Sequence, residues 1–86
     1  MTKKYKITII GGGSSYTPEI IEVFINRAFE LPIDNIYLVD IEEGLEKLKI
    51  VENLAKRMVK KSGTDINIKS TLNRKEALSG SDFVVT

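Results

Sequence analysis

Gly11, Gly12 and Gly13, then Ser14 and Ser15, follow directly on Thr8-Ile9-Ile10 and precede Thr17-Pro18-Glu19. A strand that turns straight into a helix start leaves backbone N–H groups converging on one spot, and the helix dipole adds partial positive charge there. That is chemistry for holding a phosphate. Glycines allow the tight turn and let a pyrophosphate approach with no Cβ in the way. Ser14 and Ser15 add hydroxyl donors. The dinucleotide pattern G-x-G-x-x-G is met at Gly11 and Gly13, with Tyr16 in the third glycine's place. That glycine ordinarily lets the helix pack closely on the strand. The helix is therefore expected to start later, at Thr17-Pro18, after a longer loop.

Asp40 supplies the second half of the pattern, 24 residues beyond Tyr16 at the end of a second apolar run. An acid at that place hydrogen-bonds the adenosine ribose hydroxyls and disfavours a 2′-phosphate. The constellation predicts NAD rather than NADP. Simpler readings compete at each position. These take the GGGSS run as an unliganded turn, Asp40 as an N-cap, and Tyr16 as packing over the first helical turn.

Elements that could position these residues are readable from periodicity. Tyr5 to Ile10 alternates and then turns continuously apolar, as in a buried strand. Thr17 is the expected N-cap, with Pro18 at the first helical position and Glu19 beside the positive helix start. Ile20, Ile21, Phe24, Ile25, Ala28 and Phe29 recur at helical spacing, and Leu31-Pro32 is expected to end that helix. Asn35 to Ile41 reads as a second strand. Glu42 to Lys61 reads as a long amphipathic helix with Leu45, Leu48, Val51, Leu54, Ala55, Met58 and Val59 along its apolar stripe. Glu43–Lys47 and Glu52–Lys56 stand at i,i+4 in the favourable order. Glu42, Glu43 and Glu46 read as a solvated acidic helix start, not as catalytic carboxylates. Gly63 is the expected stop. Ile66 to Thr71 alternates as a third strand, Arg74 to Leu78 forms a short helix stopped near Gly80, and Phe83 begins a fourth strand.

Strands alternating with helices imply an α/β fold with a parallel sheet and right-handed crossovers. The predicted architecture is a partial, truncated Rossmann-like sheet, β-α-β-α-β-α-β in order 3-2-1-4, with the nucleotide across the carboxyl ends of the strands. Residues 1–86 read as the N-terminal part of an NAD-binding domain, since a parallel strand buried on both faces is a poor place to end one.

Composition excludes several classes. The chain of 86 residues is 42% hydrophobic and 29% charged, which marks a globular chain rather than a disordered one. A net charge of +1 gives no electrostatic case for nucleic acid or an acidic membrane. The Lys-Lys pairs at 3–4 and 60–61 read as solvated element ends. There is no cysteine and no histidine. Disulfides and a Ser-His or Cys-His catalytic pair are therefore impossible, and a zinc site cannot be built from this chain alone. A reducing cytoplasm is the expected home. No apolar stretch approaches the roughly 20 residues of a membrane-spanning helix.

The stretches IGGGSSYTPEI, ELP at residues 30–32 and LVDIEEG at residues 38–44 resemble the start of glycoside hydrolase family 4. KL at 47–48, AKRM at 55–58, TLNR at 71–74 and EALSGSDFV at 76–84 extend the resemblance across the chain, and within the family it is nearest to the 6-phospho-β-glucosidases. Asn73 departs from the aspartate expected in the family's TLDR stretch. The resemblance implies glycosidic cleavage without the ordinary carboxylate pair. NAD takes a hydride from C3 of the sugar, and the ketone acidifies the C2 proton for removal by a base. A divalent metal such as Mn²⁺ stabilises the enolate; elimination, water addition and re-reduction follow.

For this chain the resemblance implies cofactor binding alone. Gly11, Gly12, Gly13, Ser14, Ser15 and Tyr16 would surround the pyrophosphate, Asp40 would meet the ribose, and Asn73 would lie near the adenine end. Metal ligands, catalytic base and sugar-phosphate groups would lie beyond these residues, so the segment alone is expected to be inactive. The implied partner is a phosphorylated disaccharide or aryl glucoside, with a homo-oligomeric assembly. Competing functions are an NAD-dependent dehydrogenase, a non-catalytic nucleotide-binding module, and a family member acting on α-glucosides or galactosides.

Overall fold

The computed structural model describes residues 4–27, 30 and 32–85. Four parallel strands form one sheet in the order β3-β2-β1-β4, with β1 at Tyr5–Ile10, β2 at Ile33–Val39, β3 at Asn67–Thr71 and β4 at Phe83–Val85. Helices α1 (Thr17–Asn26), α2 (Leu45–Ser62) and α3 (Arg74–Leu78) make the crossovers. This is the Rossmann-like α/β order expected from the alternation of periodicities.

The central strand explains the layering. Ile7, Thr8 and Ile9 of β1 are all buried, as a parallel strand covered on both faces must be. Ile7 and Ile9 join Ile21 of α1, Ile36 and Leu38 of β2, and Leu48, Val51 and Ala55 of α2 in one apolar core. Each of the large aliphatic side chains contributes roughly 1.5–3 kcal/mol by leaving water. Thr8 turns its hydroxyl to α3, donating to the Ala77 carbonyl at 2.9 Å and pairing with the Ser81 hydroxyl. The Lys6 ammonium donates to the carbonyls of Ser79 at 2.6 Å and Glu76 at 3.4 Å, where the negative end of α3 favours a cation. Asp82 and Lys6 exchange hydrogen bonds, which seats β4 beside β1.

Several boundaries differ from the sequence expectation. Thr17 is not the N-cap of α1. Ser14 accepts from the Tyr16 amide through its hydroxyl and from the Thr17 amide through its carbonyl, so the chain turns helical one residue early. Tyr16 is the cap, with φ −83° and ψ −16°, and Pro18 falls at the second helical position, where its missing donor still costs nothing. Strand β2 starts at Ile33, whose side chain is buried, and stops at Val39. It cannot run on to Ile41, because the Val39 carbonyl is taken by the amides of Gly11 and Gly12, both at 2.8 Å. Residues Glu42–Gly44 form a 3-10 turn before α2. Glu43 therefore lies out of helical phase with Lys47, and among the described residues the two make no ion pair. Glu52–Lys56 does pair, at 3.1 Å. Helix α3 has the expected bounds, and strand β4 starts where expected, at Phe83. Lys3 of the first lysine pair, and Ala28, Phe29 and Leu31 of the first helix's expected stripe and stop, lie outside the described residues.

Candidate functional site

The carboxyl ends of β1 and β2 meet at the glycine loop. Gly11 leaves β1 with φ +76°, a left-handed conformation that side chains rarely adopt. Gly12 lies against β2, where an added Cβ would stand 2.6 Å from Leu38 Cβ and 2.9 Å from Leu38 Cα. Gly13 lies against Asp40 and the start of α2, where a Cβ would come within 2.8 Å of the Asp40 carboxylate and 3.2 Å of the Leu48 amide. Each of the three glycines thus has its own reason, and two of the reasons are close approaches of the protein to itself.

The loop's amides divide into two sets. Those of Gly11, Gly12 and Gly13 are bonded inward, the last to Asp40 Oδ2 at 3.0 Å. Ser14 donates to the Gly11 carbonyl at 3.0 Å. The amides of Ser15 and Glu19 have no partner among the described residues. They stand at the positive start of α1, beside the exposed Ser14, Ser15 and Tyr16. The Thr17 hydroxyl is buried there and has no partner among the described residues. An anionic group at this end of α1 would meet two free N–H donors and the helix dipole. The sequence predicts free N–H groups at this helix start without saying whose they are; the structure identifies them as those of Ser15 and Glu19.

Asp40 follows the last residue of β2. Its Oδ1 accepts from the Ile41 amide at 2.8 Å and its Oδ2 from Gly13. It does not cap α2. The 3-10 turn has Ile41 at its cap, without a side-chain hydrogen bond. The carboxylate instead joins the second strand to the glycine loop, which brings the two halves of the predicted pattern together. Gly44 closes the other side, where a Cβ would lie 3.0 Å from both Asp40 Cγ and Oδ1.

Asn73 is apart from this cluster. It follows β3 and caps α3, its Oδ1 accepting from the Glu76 amide at 3.1 Å. No hydrogen bond joins it to Asp40 or the loop. An aspartate would cap equally well, so the exchange leaves this local role intact.

Grooves of about 600 and 530 Å³ lie elsewhere. One follows the β3 edge between Lys56, Lys69 and Ser70, and the other lies between Ile25, Pro32 and Gly63. Among the described residues no cluster of His, Cys, Asp or Glu could hold a metal ion, and no helix is long and apolar enough to cross a membrane.

Residues 6–86 match the family 4 glycosyl hydrolase model. A probable 6-phospho-beta-glucosidase of Bacillus subtilis is 60% identical over all 86 residues, which cover 20% of that protein. The 6-phospho-beta-glucosidase of Escherichia coli is 49% identical over the same span, 19% of its length. The chain therefore spans about one fifth of the curated relatives it matches. Among solved structures, the 6-phospho-beta glucosidase of Thermotoga maritima with NAD and glucose-6-phosphate superposes with a TM-score of 0.83 at 33% identity, covering 95% of this chain and 19% of that one. A 6-phospho-alpha-glucosidase from gut microorganisms, solved with NAD and glucose-6-phosphate, gives 0.86 at 34% identity, covering 96% and 19%. Manganese is present with NAD⁺ in another structure of the Thermotoga enzyme. The glycine loop, the acid after β2 and the 3-2-1-4 sheet all lie within the matched residues, and the chain belongs to glycosyl hydrolase family 4.

Proposed function

We propose that this chain holds NAD for a 6-phospho-β-glucosidase. The observation that carries the reading is the bond from the Gly13 amide to Asp40 Oδ2, at 3.0 Å. It sets a carboxylate at the root of the glycine loop, where β1 and β2 end side by side. The residues fit the cofactor. Ser15 and Glu19 offer free amides to a pyrophosphate, with the hydroxyls of Ser14 and Ser15 beside them. Asp40 retains unshared electron pairs for a ribose diol, and its charge repels a 2′-phosphate. Tyr16, exposed at the loop's outer end, would cover the dinucleotide. Asn73 is assigned to the adenine side, one strand further along the carboxyl edge.

Bound there, NAD would supply transient oxidation at C3 of the sugar, which makes the neighbouring C2 proton acidic enough to remove. The chain's own part is to bind and orient the dinucleotide. No metal ligand or catalytic base is assigned to it, because it has no histidine or cysteine and no suitable carboxylate cluster among the described residues. The substrate of the complete protein would be a 6-phospho-β-glucoside, a reading supported over the α-anomer by the 60% and 49% identity to the two 6-phospho-beta-glucosidases. The absence of cysteine suits a reducing cytoplasm.

The test is aglycone release from an aryl 6-phospho-β-glucoside by the complete protein, with NAD⁺ and Mn²⁺ added singly and together. Release is expected only with both, without net NADH. Asp40→Ala is expected to raise the NAD⁺ concentration needed by about 10- to 100-fold, the loss of a charge-assisted hydrogen bond. Stoichiometric NADH accumulation would replace the glycosidase reading with that of a dehydrogenase.

A further inference from the structure

Gly44 has φ −95° and ψ 6°, the bridge conformation that residues with side chains adopt at the third position of type I turns. Its own geometry therefore gives no reason for glycine. The reason lies across the turn. A Cβ at residue 44 would stand 3.0 Å from Asp40 Cγ, 3.0 Å from Oδ1 and 3.3 Å from Oδ2. Those contacts are tighter than side chains ordinarily tolerate, so the carboxylate would have to move. It is poorly free to do so. Oδ1 is held by the Ile41 amide at 2.8 Å and Oδ2 by the Gly13 amide at 3.0 Å. On the far side, Gly13 leaves room for Oδ2 only because it too lacks a Cβ. The carboxylate is thus seated between two glycines and two amides.

We infer that Gly44 is a positioning residue for dinucleotide selection, acting through Asp40. The inference rests on the NAD reading above. With Gly44, both carboxylate oxygens keep one set of lone pairs on the backbone and turn the others outward, where a ribose 2′,3′-diol can donate to them. A methyl group at residue 44 displaces the carboxylate, stretches both amide bonds and turns the outward lone pairs off the diol. The 2′-phosphorylated cofactor has no diol to lose, and the carboxylate's repulsion of its phosphate changes little over a shift of a few tenths of an ångström, so its binding does not depend on that aim. Gly44 therefore sets discrimination between the two dinucleotides rather than general affinity for either.

The experiment is calorimetric titration of the complete protein with NAD⁺ and with NADP⁺, in wild type, Gly44→Ala, Asp40→Ala and the double variant. Gly44→Ala is expected to weaken NAD⁺ binding about tenfold while leaving NADP⁺ binding unchanged, the cost of one misaligned charge-assisted hydrogen bond. Its melting temperature should fall by a few degrees, because the methyl strains the two amide bonds that hold the carboxylate, and the fall should vanish in the Asp40→Ala background. In the Asp40→Ala background the same change should alter NAD⁺ affinity less than about twofold, since no carboxylate remains to be displaced. An unaltered NAD⁺ preference in Gly44→Ala, or an undiminished loss in the Asp40→Ala background, overturns the inference and leaves the NAD reading standing. A wild type without preference for NAD⁺ removes both. If Gly44→Ala unfolds, rescue by Asp40→Ala supports the clash with the carboxylate, and failure of rescue refutes it.

Discussion

An added methyl group would meet nothing within 4 Å at Gly11, but at Gly12 it would meet Leu38 at 2.6 Å. The two neighbours should therefore fail differently. Gly11→Ala is strained only by its positive φ, at about 1 kcal/mol. Gly12→Ala has to push against the backbone of β2 in a close-packed sheet, at about 3 kcal/mol. Urea unfolding of the two variants should give that order, and equal losses would refute the packing account. The same distinction governs what could be read beforehand. Gly11 and Gly13 were legible because a glycine-rich turn between strand and helix has a known use. Gly44 was not, because its constraint comes from a side chain folded back upon it. The bond between Gly13 and Asp40 was likewise invisible to spacing, which placed both residues at strand ends but said nothing of their contact.

Between α2 and β3 a charged side chain bridges the elements. Glu52 is nearly buried, and its Oε1 accepts from Ser70 Oγ at 2.6 Å while Oε2 meets Lys56 Nζ at 3.1 Å. Lys49 approaches Oε1 at 3.5 Å. Burial by itself would raise the carboxyl's pKa, but the Ser70 hydroxyl and the two ammonium groups outweigh it and hold the pKa below its ordinary value. The sign of the pH effect follows. A carboxyl whose pKa is lower in the folded state stabilises the fold above its unfolded pKa, and that contribution is lost as pH falls through the folded value. Glu52→Gln is expected to cost about 1–2 kcal/mol near neutrality. The gap from wild type should close as the solution is acidified below the ordinary carboxylate range, and a gap independent of pH would refute the assignment. The sequence revealed Glu52 only as half of a surface pair with Lys56, since Ser70 is 18 residues away and arrives by folding. By contrast, α3 could be bounded beforehand because its signals are local. A stop near Gly80, which has φ +72°, was legible, whereas the Asn73 cap emerged only from the structure.

Across the whole sheet, order was legible and termini were less so. Alternating periodicities and right-handed crossovers leave few arrangements for four parallel strands, and 3-2-1-4 is the one observed. Where each element stops depends on competition for hydrogen bonds, which periodicity does not reveal. The Val39 carbonyl decides one such contest by accepting two loop amides at once. That carbonyl makes the glycine loop an extension of the sheet, with a timescale to match. Deuterium should enter the amides of Gly11, Gly12 and Gly13 slowly, as it enters the neighbouring strands, and should enter Ser15 and Glu19 fast. Added NAD⁺ should slow only the latter two. Uptake at Gly11 and Gly12 as fast as at Ser15 would mean that the loop breathes independently of the sheet. With slow uptake there, the phosphate would meet a surface whose ordering cost was met when the protein folded, and binding would carry little penalty in loop entropy.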